Sequence, residues 1–270
     1  MGIINLMLSD DALRLTIFIA VLLLMAMAEA LLPKRKRVQN RKSRWVTNFA
    51  LALLNSVTLR ILGPISAVVA ADYALDNGWG ILALSPIPLP FVFEVILGVL
   101  LLDLAIYAQH VASHKIPILW RFHKVHHADR DIDVSTGIRF HPIEAALSMI
   151  YKCIIILALG PLTIAVVIFE VILNASAMFN HANLKLPQPF DAVLRLFLVT
   201  PDMHRVHHSV ISAESNSNYG FFLPLWDRVF RTYIAQPQHG HHNMVIGLSE
   251  YQVEETSKLK WSLLVPFANK

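Results

Sequence analysis

Apolar positions along this chain come in long blocks, not in the alternation of β-strands. Leu13 to Leu32 is 20 residues of mostly Leu, Ile, Val, Ala and Met, roughly the length that spans a bilayer core. Trp45 to Asp72 is a second apolar stretch, interrupted by Arg60 and Pro64, and Phe91 to His110 is a third. Ile143 to Asn180 is too long for one ordinary span, and Gly160-Pro161 punctuates its middle. It reads either as one tilted helix or as a hairpin with arms of about 15–19 residues that cross barely or partly. From Ala182 onward the chain is more polar, and its last apolar run, Trp261 to Phe267, is too short to span.

Composition supports a membrane protein: 55% of residues are hydrophobic and 16% charged, against about 45–50% and about 25% in soluble domains. The single Cys153 excludes an internal disulfide framework and a thiolate zinc cage. The net charge is only +4, but seven of the 23 basic residues fall within positions 34–44. Beside an apolar span, such a run reads as a solvated anchor at the membrane surface, not as a nucleic-acid contact. It follows the first apolar block instead of preceding it, which argues for a span and against a cleaved signal peptide. Residues 1–10 and Tyr73 to Pro90 contain no Lys or Arg. Both are therefore expected outside, with the 33–44 loop in the cytoplasm, and the third span delivers His110 to the cytoplasmic side.

Thirteen histidines carry the candidate chemistry. His110 and His114 form an HxxxH pair; His123, His126 and His127 form one HxxHH box, and His204, His207 and His208 a second. On a helix, residues i and i+4 share a face, so each motif can aim imidazoles at a common point. Imidazole suits zinc, copper, iron and nickel. Eight boxed histidines exceed the four ligands of one tetrahedral zinc and fit two transition-metal ions, each with an open position. One metal pair needs all three motifs on the same side of the membrane, which selects the hairpin at Gly160-Pro161. His141 and His181 stand alone, and His239, His241 and His242 read as loop residues outside the site. Asp103 lies two helical turns before His110 and reads either as a partner that orients a ligand ring or as a plain interfacial acid. The pattern predicts an all-α, multi-pass bundle of three spans plus a helical hairpin, closed by a cytoplasmic histidine-rich cap.

The chain resembles the fatty acid hydroxylase superfamily, which includes sterol desaturases and alkylglycerol monooxygenase. The likeness rests on the three motifs together with Leu119-Trp120-Arg121-Phe122 and Arg139-Phe140-His141-Pro142-Ile143-Glu144. It extends to Phe179-Asn180-His181-Ala182-Asn183, Asn218-Tyr219-Gly220, Leu225-Trp226-Asp227-Arg228-Val229-Phe230 and Met244-Val245-Ile246-Gly247-Leu248. It covers roughly residues 90–250, the expected catalytic domain, flanked by N-terminal spans and basic loop (1–89) and a tail (251–270). The resemblance implies a membrane-bound non-haem di-iron oxygenase with two Fe2+/Fe3+ ions and O2 as cosubstrate. The eight boxed histidines would be ligands, with His141 and His181 added, and Asp103, Glu144 and Asp202 would support them from behind. Branches that hydroxylate acyl chains carry a further HxxxH pair near His181; here Ala177 occupies that position. With no HPGG segment of cytochrome b5 type, electrons are expected from a separate cytochrome b5- or ferredoxin-like protein. The implied partners are thus a lipid substrate, the membrane and that donor, with no nucleic acid. The implied place is a bacterial inner membrane or a eukaryotic endoplasmic reticulum, with the active site cytoplasmic. A lipid or sterol desaturase would use the same metals, and a histidine-rich metal transporter is the alternative of a different class. A zinc protease is disfavoured because His110-Val-Ala-Ser-His114 lacks the Glu of HExxH.

Overall fold

The computed structural model describes residues 2–63, 66–82, 84 and 89–268, with side chains from residue 12 on. Its helices are α1 (Gly2–Leu31), α2 (Arg41–Ile61), α3 (Ala67–Asp76), α4 (Phe91–Lys115), α5 (Pro117–His127), α6 (Pro142–Leu159), α7 (Thr163–Asn180), α8 (Gln188–Leu194) and α9 (Pro201–His207), followed by short turns of helix. Among the described residues no strand forms, and four helices are long and apolar enough to cross a membrane: Ala12–Leu31 within α1, α4, α6 and α7. Their outward sides carry Leu23, Leu24, Phe91, Phe93, Leu147, Ile154 and Ile164, all exposed, as hydrocarbon contact requires.

The second apolar block departs from the expected span. It breaks into α2 and α3, and α2 buries Arg44, Thr47 and Asn48, a polar face turned toward the cap. Pro64 lies outside the described residues, as do 83 and 85–88 of the loop expected outside. α3 instead offers a stripe of Ala67, Ala70 and Ala71. It packs with Val99, Leu102 and Ile106 of α4, Cys153 and Ile156 of α6, and Ala165, Val166 and Phe169 of α7. Small residues let helix backbones approach closely where lipid leaves little hydrophobic drive for association.

The hairpin forms as expected. Gly160 ends α6 in the left-handed region (φ 64°), its N–H bonded to the Ile156 carbonyl. A Cβ there would lie 2.2 Å from the Trp79 carbonyl oxygen, so conformation and space both demand glycine. α6 and α7 therefore run antiparallel, and His141 and His181 sit at the same end of the bundle. α4 and α5 are separated by Ile116 alone, in extended conformation, with Pro117 opening α5. That break folds the HxxHH helix back over the HxxxH pair.

The basic run is solvated only in part: Lys36 and Lys42 are exposed, while other members are built into the protein. Lys34 Nζ lies 2.6 Å from Asp202 Oδ2, Arg35 donates to the main-chain carbonyls of His241 and Met244, and Arg44 is fully buried. Pro33 pairs with Leu184 just beyond α7, so the loop clamps the end of α1 onto the cap. The tail is built in too: Arg139 donates to the Thr256 carbonyl (2.7 Å) and to Ser262 Oγ (2.9 Å).

Candidate metal centre

Nine histidines converge into two adjacent groups. His110, His114, His123, His127 and His207 form one; His126, His181, His204 and His208 form the other, and within each group the ligand atoms lie within 4.8 Å of one another. The HxxHH boxes do not act as units of three. In each, the i and i+4 rings share a helix face and go to one group, while the intervening ring goes to the other. His123 and His127 join the first group and His126 the second; His204 and His208 join the second and His207 the first. The two boxes are thus exchanged with respect to the groups, and stacking of His127 on His208 (centroids 4.5 Å apart) links them.

Main-chain carbonyls hold the rings. Nδ1 of His110 bonds the Tyr219 carbonyl, Nδ1 of His207 that of Ser217, and Nδ1 of His181 that of Ala177, each at 2.7 Å; Nδ1 of His126 reaches the Arg139 carbonyl at 3.3 Å. His123 Nδ1 meets Glu144 Oε1 at 2.5 Å. A ring that donates through Nδ1 carries a bare lone pair on Nε2. Yet His181 Nε2 lies 3.1 Å from Nε2 of His126 and His204 and 3.2 Å from that of His208. The Nε2 lone pairs of His126 and His181, 3.1 Å apart with both Nδ1 atoms engaged, repel unless a cation sits between them. With imidazole–metal bonds of about 2.0–2.1 Å, tetrahedral ligand nitrogens fall about 3.3–3.4 Å apart, close to the spacing seen. In the first group, Nε2 of His110, His123 and His207 is buried with no protein partner. The donor set fits two transition-metal ions.

The remaining expected residues fall elsewhere. His141 joins neither group. Its Nδ1 accepts from the Ile143 N–H at 3.1 Å to cap α6, and its ring packs on Phe122 and Phe267. Glu144 Oε1 meets His123 Nδ1, whereas Asp103 accepts from Trp226 Nε1 (2.8 Å) and Asp202 binds Lys34 and Arg205. His241 is buried 3.7 Å from Asp202, whereas His239 and His242 are exposed. Sequence reasoning missed Asp227, which takes the N–H groups of Tyr219 and Gly220 at 2.8 Å each and so fixes the turn supplying the Ser217 and Tyr219 carbonyls. It also missed Gly137, where a Cβ would lie 2.6 Å from the Ala177 carbonyl that holds His181.

Two cavities flank the first group. One, of about 330 Å3, reaches His110 and His123 from between α1, α2, α4, α6 and α7, past Ile106, Met149, Leu173 and Phe221. The other, about 270 Å3 and lined by Ser209, Ser212, Ser215, Asn216 and Glu250, reaches His114 and Trp120 from the cap side. One side of the centre thus faces a mainly apolar slot with a few polar groups on its wall, and the other a polar one.

Burial, and then the neighbouring imidazoles, push His126, His127, His204 and His208 well below the ordinary range, while His207 is lowered to about 3 and His181 to about 4, mainly by burial. In metal-free protein these rings stay neutral while an unfolded chain takes up protons near pH 6.5. Stability is therefore fully present above about pH 6.5 and is lost as pH falls toward the folded values, by about 1.4 kcal/mol per pH unit for each such histidine. Thermal melts of chelator-treated protein from about pH 7.5 to about pH 5 are expected to hold their midpoint down to about pH 6.5 and to fall steadily below it. A flat profile would contradict the neutral cluster.

The fatty acid hydroxylase family model matches residues 95–232, half of the chain and all three histidine motifs. The chain belongs to the fatty acid hydroxylase family. Among particular proteins it is similar to the ornithine lipid hydroxylase OlsE of Rhizobium tropici, 29% identical over 233 residues that make up 82% of this chain and 67% of that protein. It is also similar to the alkylglycerol monooxygenase of Homo sapiens (27% identical, 58% of this chain, 33% of that protein) and the cholesterol 25-hydroxylase of Rattus norvegicus (27%, 53% and 48%). The chain thus spans about two thirds of the first relative and half or less of the other two. No solved structure matches.

Proposed function

We propose that this chain is a membrane-bound, non-haem di-iron oxygenase that hydroxylates a C–H bond of a lipid. The observation that carries the reading is a two-group histidine centre whose His110 and His123 form the wall of a cavity opening among lipid-facing helices. Iron bound there would supply the reduction of O2 and the oxidation of the C–H bond: RH, O2, two electrons and two protons give ROH and water. The ten histidines taken from the family pattern separate, in this reading, into nine ligands and His141, which positions α6. The chain's own work is to fix the Nε2 lone pairs toward the ions, keep the rings neutral, and seat an apolar chain beside His110 and His123. The relatives named above act on an ornithine lipid, an alkylglycerol and cholesterol; for this chain we propose a fatty acyl, ether or sterol lipid. Electrons would come from a separate cytochrome b5- or ferredoxin-like protein on the side of His114, the least buried ring of its group. We place that side in the cytoplasm, on the rule that basic loops face inward, at an inner membrane in a bacterium or the endoplasmic reticulum in a eukaryote.

The test compares the lipids of cells with and without the gene by mass spectrometry. Gain of one oxygen in a lipid species supports hydroxylation, loss of two hydrogens makes the enzyme a desaturase, and an unchanged profile removes the enzyme reading. Glu144→Gln is expected to lower turnover by about 10–100-fold, because the 2.5 Å contact that orients His123 loses its charge. Activity equal to wild type would show that Glu144 does no such orienting.

A further inference from the structure

The cavity that reaches His110 and His123 has a second chemical end. Lys152 of α6 lines it together with Asn174 of α7 and Phe18 of α1. Lys152 lies eight residues along α6 from Glu144, which at 1.5 Å per residue sets it about 12 Å deeper among the spans. An ionisable side chain at that depth is costly and points to a function by default. Its partner is Glu170 of α7, at 3.3 Å, which also takes Arg14 of α1. Arg14 ties α1 to Glu170, and α6 and α7 are already held together by the turn at Gly160-Pro161, so joining these helices does not require a lysine on the cavity wall. The ammonium has three donors; one goes to Glu170, and the residue lines the space a lipid would fill. Across the cavity stand Asn55 of α2 and Gln109 of α4, the Asn55 Oδ1 buried without a partner. A slot for bare hydrocarbon has no use for these groups.

We infer that Lys152 is a recognition point for an uncharged oxygen acceptor, an ester, amide or hydroxyl, carried by the lipid away from the carbon that is oxidised, about 12 Å along α6 from Glu144. Glu170 decides between acceptors. A substrate carboxylate would lie beside a second anion in a low-dielectric site, whereas a neutral oxygen completes the lysine's hydrogen bonding and leaves the ion pair intact. The identity of the reacting end rests on the lipid-hydroxylase reading; binding does not.

The experiment measures equilibrium binding of octadecane, octadecanol, methyl stearate and stearate to the full-length, metal-loaded protein in detergent, with iron content determined in parallel. Octadecanol and methyl stearate are expected to bind at least about tenfold more tightly than octadecane, the worth of one charge-assisted hydrogen bond. Lys152→Met should bring both down to the octadecane level with iron unchanged. Lys152→Gln, which keeps an N–H donor without the charge, should restore part of the preference and serves if the Met variant does not fold. Octadecane binding as tightly as octadecanol, an undiminished preference in Lys152→Met, or stearate binding tightest of all would each overturn the inference. If the expected binding pattern appears but no lipid gains oxygen in cells, the hydroxylase reading fails alone.

Discussion

Replacing His126 with alanine is expected to lower bound iron from two ions per chain to one and to abolish lipid oxidation. His126 is the only ring that the first HxxHH box contributes to the four-histidine group, where its Nε2 lies 3.1 Å from that of His181. Without it three imidazoles remain in that group, one short of a tetrahedral protein set, and under the di-iron reading proposed above the reaction needs both ions. His207→Ala removes the only ring that the second box gives to the other group, but four imidazoles stay there. Its metal loss is expected to be smaller and its loss of turnover as complete. The informative control is His141→Ala. Because that ring caps α6 and touches neither group, both ions should stay bound, at a cost of about 1 kcal/mol in stability. Elemental analysis of the three purified variants decides the matter: iron lost from His141→Ala, or retained at two ions in His126→Ala, overturns the division into nine ligands and one cap.

Helical periodicity made much of this site readable. Spacings of four put His110 with His114, His123 with His127 and His204 with His208, and the structure keeps each of these pairs together. The intervening rings, His126 and His207, were harder to place, because only the mutual position of α5 and α9 decides which group they face. His181 and His141 look alike in sequence, each a lone histidine at a helix end. What separates them is that His181 follows α7 and points inward over the Ala177 carbonyl, whereas His141 precedes α6 and turns its Nδ1 to the Ile143 N–H. The supports behind the rings were nearly invisible. Most are main-chain carbonyls, at Arg139, Ala177, Ser217 and Tyr219, and a carbonyl has no letter of its own. The second span was misjudged for a related reason: mean apolarity over residues 45–72 concealed Thr47 and Asn48, which α2 buries against the cap. Charge counting likewise placed the basic run in solvent, where its acidic partners at Glu29, Asp129, Asp133 and Asp202 were out of view.

Of that run, Arg44 is expected to matter most. It is fully buried and forks onto Asp129 at 2.6 and 2.8 Å, with a further bond of 2.6 Å to Asp133. Burial alone would raise the Asp129 carboxyl, but Arg44, together with Arg139 and the Thr136 hydroxyl, outweighs it and holds that group below its ordinary value. Asp133 in turn accepts from Ser135 and begins the turn Val134–Ile138, which leads into Arg139, the residue whose carbonyl meets His126 Nδ1. Arg44→Met would leave two carboxylates buried without their cation, a loss of about 3–5 kcal/mol, and would loosen the turn behind the four-histidine group. Lower thermal stability and reduced iron are therefore expected together. Arg44→Lys should recover little, since one ammonium does not reproduce a planar fork across two acids. Adding Asp129→Asn to Arg44→Met should recover part of the stability, because one of the orphaned charges is then gone. If Arg44→Met melts with the wild type and keeps both ions, the basic loop is only an anchor after all.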